Sequence, residues 1–395
     1  MLKNVYVAGG VRTPFGSFNG SLSSLSAPQL GALTIRETLK RAGVDGMEVD
    51  EVLFGNVIGA GLGQNVARQC TLGAGLNVNV AATTINKVCG SSMRAVILAA
   101  QAIQCGDAGL IVAGGCESMT NAPYLLRKAR TGYRMGHGEL IDAMIHDGIW
   151  DVYTNKHMGT CGDQCAAKYS FSRRDQDDFA IESYKRAIKA WDDGFYAKGV
   201  VSVEIPSKKG PATIVERDED VAKFHGEEAM RTLKPAFAPD GTVTAGNASK
   251  INDGAAAMVV FGEEKKKALG LKPVARILGH ANAAMEPDWF SIAPIYAIRK
   301  LCDKLEIKPQ DIDLFEINEA FAVVAMAAIR ELKLDHAKVN VAGGAVAIGH
   351  PIGATGARII NTLTRALEKQ NKRIGIACLC IGGGEASAIA VERCA

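Results

Sequence analysis

The chain lacks the cysteine pattern of a small secreted protein held by disulfides, although it has ten cysteines in 395 residues. Two pairs are close in sequence, Cys161 with Cys165 and Cys378 with Cys380. Neither pair has a nearby His or Cys set at the spacing of zinc ligands. We therefore expect no structural metal, no metal cofactor and a reducing cytoplasm.

Charge of one sign is also missing, because 45 Lys and Arg face 42 Asp and Glu, a net charge of +3. Without a basic stripe we expect no nucleic-acid partner. The first residues enter a strand-like apolar run with no leader pattern, and the end "VERCA" is not an anchoring signal. Apolar runs such as 320–329 are shorter than the roughly 20 residues that span a bilayer. We expect a cytoplasmic protein without a membrane partner, with basic side chains free to meet an anionic small molecule.

What the chain does have is one order of elements used twice. Residues 27–57 and 293–318 each predict an amphipathic helix, an acidic connection and a strand. Residues 88–119 and 343–386 each predict a glycine-rich turn, a long helix, a strand and a second turn. In the second segment we predict the helix over about residues 355–369. Strands with continuous apolar runs are typical of buried, mainly parallel sheets covered by helices. The sequence predicts two similar α/β halves with a small-molecule site at their junction.

Three parts follow from this duplication. Residues 1–119 form the N-terminal half, which residues 251–270 complete, and residues 271–395 form the C-terminal half. Residues 120–250 differ in texture, with turn-rich and charged stretches around two helical patterns. We predict that they form an inserted loop domain that covers a ligand.

One cysteine stands where a nucleophile is expected. Cys89 lies where an apolar run gives way to Gly-Ser-Ser and then to a helical pattern. The free amides and the dipole at a helix start stabilise thiolate over thiol, so we expect the pKa of Cys89 to be lowered. The alternative for any single cysteine is a small buried hydrophobe, which needs no such setting.

Three other positions carry side chains that could act with Cys89. His350 lies in a glycine-rich turn just before a helix, where an isolated histidine is more often structural. Cys380 ends a strand before turn residues whose amides can face a developing anion. Asn318 and Glu319 stand at a strand-to-helix switch, where Asn318 has the alternative role of a helix N-cap.

Taken together and in this order, the motifs resemble those of the thiolase family, the acyl-CoA C-acetyltransferases. They are "VCGSS", "NEAFA", "GGAVAIGHPIGATGAR" and "CIGGGEA", with "RTPFGSFNGSL", "GQNVARQ", "GGCESMTNAPY", "HMG", "LKPAF" and "TVTAGNASKINDGAAA" along the rest of the chain. The resemblance implies a thiolase fold: two βαβαβαββ halves packed into a five-layer α-β-α-β-α core with an inserted loop domain.

The resemblance also implies a role for each catalytic position. Cys89 would be the nucleophile that takes the acetyl group as a thioester, and His350 the base that activates it. Asn318 would position a water in an oxyanion hole beside His350. Cys380 would be the second catalytic cysteine, acting as acid and base on the α-carbon. The amides of Cys89 and Gly382 would form the other oxyanion hole.

The inserted domain would hold coenzyme A. The residues that the resemblance places around coenzyme A are Ser249, which would hydrogen-bond the pantetheine, Ala248 beside it, Phe237 and Phe321 as apolar walls, and His157 and Met158 as the pair typical of a narrow, short-chain pocket. For Met158 and the phenylalanines the alternative is ordinary core. Lys223 is the nearest candidate for the arginine that often meets the adenine end.

The chain departs from the family pattern at four places outside the catalytic set. These are Cys161-Gly162-Asp163, Lys250 after Ser249, "PDWFSIAP" with Phe290, and Glu385-Ala386 after the last glycines. They leave acyl preference and coenzyme affinity open.

The resemblance implies a biosynthetic-type acetyl-CoA C-acetyltransferase. Two acetyl-CoA would give acetoacetyl-CoA and CoA by a reversible Claisen condensation through an acyl-Cys89 intermediate, with no cofactor. The main alternative is a degradative 3-ketoacyl-CoA thiolase for longer chains. A 3-ketoacyl synthase is disfavoured by the second cysteine, Cys380, and a silent lipid carrier by the complete catalytic set. A homotetramer built as a dimer of dimers and a part in fatty acid metabolism are implied as well. The direction of flux and redox control of Cys89 stay open.

Overall fold

The computed structural model describes residues 3–207 and 210–394, so the outer ends of the predicted domains, residues 1 and 395, lie outside it. The first stretch of chain alternates strands with helices. Its elements are β1 (Val5–Arg12), β2 (Gly16–Ser17), α1 (Ala27–Ala42), β3 (Glu51–Gly55), α2 (Val66–Gly73), β4 (Ala81–Ile85), α3 (Ser91–Cys105) and β5 (Leu110–Ser118).

The middle of the chain has short strands and two substantial helices. Its elements are β6 (Tyr124–Leu125), β7 (Ile141–Asp142), β8 (Trp150–Asp151), β9 (Lys156–His157), α4 (Met158–Tyr169), α5 (Arg173–Asp192), β10 (Val203–Ile205), β11 (Thr213–Val215), α6 (Glu219–Ala222) and α7 (Glu227–Arg231).

The last stretch returns to long strands and helices. Its elements are β12 (Asn252–Gly262), α8 (Glu263–Ala268), β13 (Ala275–Ala284), α9 (Ala293–Leu305), β14 (Leu314–Ile317), α10 (Ala322–Leu332), α11 (Ala345–Ile348), α12 (Thr355–Lys369), β15 (Ile374–Ile381) and β16 (Glu385–Arg393).

The long strands form one ten-stranded sheet in the order β14-β15-β16-β13-β1-β12-β5-β3-β4, with β2 beside β12. The strand order β4-β3-β5-β12-β1 in the first half is repeated in the second half as β14-β15-β16-β13. In the second half Val339 takes the place of β4, because it forms a parallel bridge to β14 as β4 pairs in parallel with β3. β12 and β16 run antiparallel to both of their neighbours. Each half-sheet therefore contains one antiparallel strand, and its other strands all run in one direction. The halves meet where β1 pairs with β13 over only two residues each.

Helices separate and cover these two half-sheets. α3 and α12 pack against each other; α3 lies on β3 and β5, and α12 lies on β14 and β15. α1 and α2 cover the outer side of the first half, while α9 and α10 cover the second. The layers therefore run α-β-α-β-α, as the resemblance to thiolases implied.

The predicted helices form because their ends carry capping residues as well as a periodic apolar face. Ser26 and Gln29 form a reciprocal capping box at the start of α1, and Gly43 ends it with a left-handed φ of 67°. Gly106 ends α3 in the same way, with a φ of 91°. The predicted bounds of α12, residues 355 and 369, are confirmed.

One segment at the centre of the fold is more apolar than we expected from the sequence. Residues Val88–Cys105, which contain α3, have the length and composition to cross a membrane. Most of this segment is buried between the half-sheets, as expected for the core helix of a globular protein.

Candidate active site

An apolar cavity of about 180 Å³ lies where the two halves meet the middle segment of the chain. Its lining contains most of the residues predicted from the sequence. These are Cys89, His157, Met158, Phe237, Ala248, Ser249, Phe321, His350, Cys380 and Gly382, together with Met119, Gly148, Ile149, Lys250, Ile251, Phe290, Ala320 and Ile352. Asn318 and Lys223 are not among them.

Cys89 stands on a strained turn between β4 and α3. The turn is closed by the amide of Gly90, which donates to the carbonyl of Lys87 at 2.9 Å. Val88 has a φ of +46°, a conformation that costs a β-branched residue free energy. The Ser91 hydroxyl braces the turn by donating to the Val88 carbonyl at 2.6 Å. Such strain is stored where the surrounding structure needs one side chain in a fixed direction, here the Cys89 thiol.

The expectation that the helix start lowers the pKa of Cys89 is wrong. Burial raises the pKa of this thiol to about 12, although the backbone N–H groups of Gly382 and Cys89 act in the opposite direction. Only 7% of Cys89 is exposed, so water does not solvate the thiolate. The thiol is therefore the resting form, and the nucleophile needs a base.

Cys380 reaches the same cavity from the other half of the chain, near the end of β15. Burial and then the charge of Cys89 raise the pKa of its thiol well above the ordinary value. Cys380 is thus close enough to Cys89 to respond to its charge. An added Cβ on Gly90 would lie 2.5 Å from Ile381 Cδ1, so the glycine lets the two turns approach closely.

His350 is held in one tautomer by Thr355. The Thr355 hydroxyl has a single hydrogen, which it donates to the Pro351 carbonyl at 3.0 Å. Its oxygen, 2.6 Å from His350 Nδ1, therefore accepts the Nδ1–H. The lone pair is left on Nε2. Burial and the charge of Arg358 lower the pKa of His350 to about 3, so the ring is a neutral base.

Asn318 supports the assignment of the His350 proton to Nδ1 from the other side of the ring. Arg358 Nη2 donates to Asn318 Oδ1 at 3.1 Å, which fixes the orientation of the amide. Asn318 Nδ2 then faces His350 Nε2 at 3.5 Å, as a donor to a lone pair. α10 has Phe321 as its N-cap, so the alternative role of Asn318 as an N-cap is wrong. Glu316 lies 3.6 Å from Arg358 Nη1 and completes this buried chain.

Glu117 links the two halves below the cavity. Its carboxylate accepts hydrogen bonds from the amides of Val57, Ile58 and Gly353 at 3.0, 3.1 and 2.9 Å. Burial raises its pKa to about 7, although these amides act against the shift. Because Gly353 follows His350 in the same turn, Glu117 at the end of β5 positions the loop that carries the histidine.

Aromatic rings form one wall of the cavity. The ring of His157 stacks on Phe237 with centroids 4.5 Å apart, and Phe237 meets Phe321 edge-on at 6.1 Å. His157 also caps α4, because its Nδ1 accepts from the amide of Gly159 at 3.0 Å. Met158 follows as the first residue of α4 and is 8% exposed.

The segment around Ser249 is fixed against the segment that follows Asn318. The amide of Ser249 donates to the carbonyl of Ala320 at 2.9 Å, and Ala248 bridges Phe321. Lys223 lies elsewhere: its ammonium donates to Glu219 at 2.8 Å and to Ser17 at 3.0 Å. The structure thus places all the predicted coenzyme residues except Lys223 at the cavity.

The four departures divide between the cavity and its surroundings. Lys250 and Phe290 line the cavity. Cys161 is buried inside α4, and Glu385 pairs with Lys87 at the base of the Cys89 turn. Lys250 and Phe290 are therefore placed to contact a ligand, whereas Cys161 and Glu385 are placed to support the site.

Several residues of the site were missed although they lie inside the quoted motifs. Arg358 and Thr355 belong to the motif of His350, and Glu117 belongs to "GGCESM". An arginine and a glutamate within otherwise apolar, glycine-rich runs were the available signal, since buried charges need partners. Met119 and Ile352 gave none, because an apolar lining residue resembles any core residue.

The arrangement suits acyl transfer. A neutral imidazole lone pair, two thiols and inward-facing amides share one cavity that is otherwise apolar. In such surroundings donors aimed at a developing oxyanion stabilise it more strongly than water does. Across residues 3–207 and 210–394, no group of three or more His, Cys, Asp or Glu is placed to hold a metal ion.

Comparison with known proteins gives full-length matches. The family model described as the thiolase N-terminal domain matches residues 5–264, and that of the thiolase C-terminal domain matches residues 271–393. A probable acetyl-CoA acetyltransferase of Dictyostelium discoideum is 48% identical, covering 99% of this chain and 94% of its own. A cytosolic acetyl-CoA acetyltransferase of Gibberella zeae is 48% identical, covering 99% of both. The crystal structure of the Acat5 thiolase from Ascaris suum in complex with coenzyme A has a TM-score of 0.93 at 44% identity, covering 99% of this chain and 100% of that one.

Proposed function

The chain belongs to the thiolase family and has acetyl-CoA C-acetyltransferase activity, and we propose that Cys89, His350, Cys380 and Asn318 carry its chemistry. Two acetyl-CoA give acetoacetyl-CoA and CoA in a reversible Claisen condensation. The proposed course is ping-pong, through an acetyl group held on Cys89. Splitting the reaction in this way separates acyl transfer from carbon–carbon bond formation.

In the first step the sulfur of Cys89 attacks the thioester carbon of acetyl-CoA. The thiol proton passes to Nε2 of His350, the nitrogen left unprotonated because Nδ1–H donates to Thr355. The bond to the CoA sulfur breaks, and Cys380 gives its proton to that sulfur. Acetyl-Cys89, protonated His350, the Cys380 thiolate and free CoA result.

In the second step the Cys380 thiolate removes a proton from the methyl carbon of a second acetyl-CoA. Its raised pKa makes it a strong base, which this weak carbon acid needs. The carbanion attacks the carbonyl carbon of acetyl-Cys89. When the bond to Cys89 breaks, acetoacetyl-CoA forms and His350 returns its proton to the Cys89 sulfur.

Two oxyanion sites support these steps in the proposal. The amides of Cys89 and Gly382, which already face the Cys89 thiol, would hold one oxygen. His350 and a water positioned by Asn318 would hold the other. Losing one such donor typically costs about 3–4 kcal/mol of barrier.

The middle segment would hold coenzyme A. Ser249, Ala248, Phe237, Phe321, His157 and Met158 are proposed as its contacts, because all of them line the cavity. Lys223 at the adenine end stays a prediction, since the cavity does not reach it. The division into residues 1–119 with 251–270, 120–250 and 271–395 is proposed on the same basis.

The observation that carries the proposal is that two cysteines from opposite halves and a neutral histidine line one apolar cavity. Incubation with acetyl-CoA alone, followed by peptide mass measurement, should find the acetyl group on Cys89. Cys89→Ala should abolish labelling and turnover, while Cys105→Ala, an exposed cysteine, should change neither. An unlabelled wild-type protein would overturn the assignment of the nucleophile.

The narrow cavity favours short acyl groups over the longer chains of a degradative thiolase. Together with Met158 and the aromatic wall, the other lining residues enclose a cavity of about 180 Å³ for the part of the substrate that enters it. Thiolysis rates with 3-ketoacyl-CoAs of four to sixteen carbons should fall steeply above four carbons. A flat profile would instead identify a degradative thiolase of broad range.

Assembly and location extend the proposal. We propose a cytoplasmic homotetramer, a dimer of dimers, that serves fatty acid metabolism. Large apolar side chains are exposed along residues 124–153, including Met135 at 95% and Tyr153 at 71%, and β4 lies at the edge of the sheet. Exposed apolar surface and an open strand edge are typical of interfaces. Light scattering tests the oligomer, and cell fractionation the location.

A further inference from the structure

Lys250 is a cation on the lining of an otherwise apolar cavity. It follows Ser249 and lines the same cavity as Phe237 and Phe321. Burial lowers the pKa of its ammonium to about 8, with the carboxylate of Asp220 acting in the opposite direction. A charge in such surroundings needs a partner to be stable.

The hydrogen-bond acceptors that the protein supplies to this ammonium are uncharged. In the described chain the hydrogen bonds of the ammonium go to the carbonyls of Ala245 and Ala248, and none goes to a carboxylate. The ring of Tyr184 lies 5.7 Å from the nitrogen. Asp220 is already bonded to Ser17 and Asn252 at 2.7 Å each. The Lys250 ammonium therefore keeps room for an anion.

The position of Lys250 identifies which part of a ligand would meet it. Cys89 is buried, whereas Ala245, whose carbonyl accepts from the Lys250 ammonium, is exposed. A thioester carbon placed at Cys89 leaves its pantetheine arm running outward past Ser249. The first anionic group beyond the arm is the phosphate at its end.

We propose that Lys250 binds the phosphate that links the pantetheine arm of coenzyme A to the nucleotide. Lys250 would in this way set the affinity of this chain for CoA thioesters. The inference rests on the proposed function of the cavity and adds to it a residue that the expected set did not contain. Lys250 would supply the charge that Lys223, already paired with Glu219, does not bring to the cavity.

The test compares substrates that keep or lack this phosphate. The second-order rate of Cys89 acetylation is measured by mass for S-acetylpantetheine, S-acetyl-4′-phosphopantetheine and acetyl-CoA. Lys250→Met should lower the rate about tenfold with the two phosphorylated substrates, as expected when one charge-assisted hydrogen bond is lost. With S-acetylpantetheine its rate should stay within about twofold of wild type.

Two variants serve as controls. Lys250→Arg keeps the charge and should retain most of the rate with every substrate. Lys308→Met removes an exposed lysine outside the cavity and should change nothing. An equal loss of Lys250→Met on all three substrates would overturn the proposal, because the lysine would then act on the arm or the fold. A loss with acetyl-CoA alone would assign Lys250 to the nucleotide end and also overturn it. Failure of wild type with every substrate would instead contradict the proposed function.

Discussion

Removing the Thr355 hydroxyl tests whether one hydrogen bond sets the base. Thr355→Val keeps the side-chain shape but removes the acceptor that lies 2.6 Å from His350 Nδ1. Thr355 is fully buried, so water cannot replace the lost partner. The ring would then be free to place a proton on Nε2, the atom that must accept the Cys89 proton.

The magnitude follows from the cost of a buried donor without a partner. Such a donor costs about 1–3 kcal/mol. If that energy appears in the barrier, the acetylation of Cys89 slows by about 5-fold to about 160-fold. The dissociation constant for CoA should change little, because Thr355 does not line the cavity.

The assay is the rate of Cys89 acetylation by saturating acetyl-CoA, followed by mass in quenched samples. Thr355→Ser is the matched control, since it keeps the hydroxyl and should retain most of the rate. Thermal unfolding of both variants separates a loss of fold from a loss of rate. A Thr355→Val protein that acetylates Cys89 at the wild-type rate would refute this account of the tautomer.

Three further predictions concern pH, the acyl pocket and stability. Because burial lowers the pKa of His350 to about 3, the ring stays neutral above that pH; in a Glu117→Gln variant, which lacks the nearby carboxyl with a pKa of about 7, the rate of Cys89 acetylation should therefore hold between pH 7 and pH 5. A fall with a midpoint near the ordinary histidine value of about 6.5 would contradict this. Met158→Ala should cost about 2–5 kcal/mol of unfolding free energy and raise six-carbon relative to four-carbon thiolysis, and an unchanged ratio would remove Met158 from the pocket. Arg12→Met should cost about 3–5 kcal/mol in urea unfolding, because it leaves the buried Asp218 carboxylate without the cation 2.6 Å away. A loss below about 1 kcal/mol would mean that this pair acts as a surface pair.

The sequence predicted the elements well where local signals and burial agree. α12 was bounded correctly because its glycine-rich start and strong apolar periodicity coincide. The duplication was visible for the same reason, since each half repeats one pattern of turns. The antiparallel direction of β12 and β16 was not predicted, because an apolar strand reads alike in either direction.

The site was predicted by residue type, and its electrostatics were not. The pKa of Cys89 was expected to fall because a helix start is a local feature, whereas burial comes from the whole fold. The tautomer of His350 depends on Arg358 and Thr355, which reach it only after α12 packs against β14. From the sequence, Lys250 was only a departure from the family pattern. The structure adds that the hydrogen bonds of its ammonium go to backbone carbonyls and not to a carboxylate.

The central claim is that the two cysteines have separate duties, and Cys380→Ala tests it most directly. Acetyl-CoA is given to this variant, and both acetyl-Cys89 and acetoacetyl-CoA are measured in the same sample. The account predicts that acetyl-Cys89 still forms, more slowly because Cys380 no longer protonates the departing CoA sulfur, and that it accumulates while acetoacetyl-CoA does not form. A variant that still condenses acetyl-CoA, or that never acetylates Cys89, would contradict it.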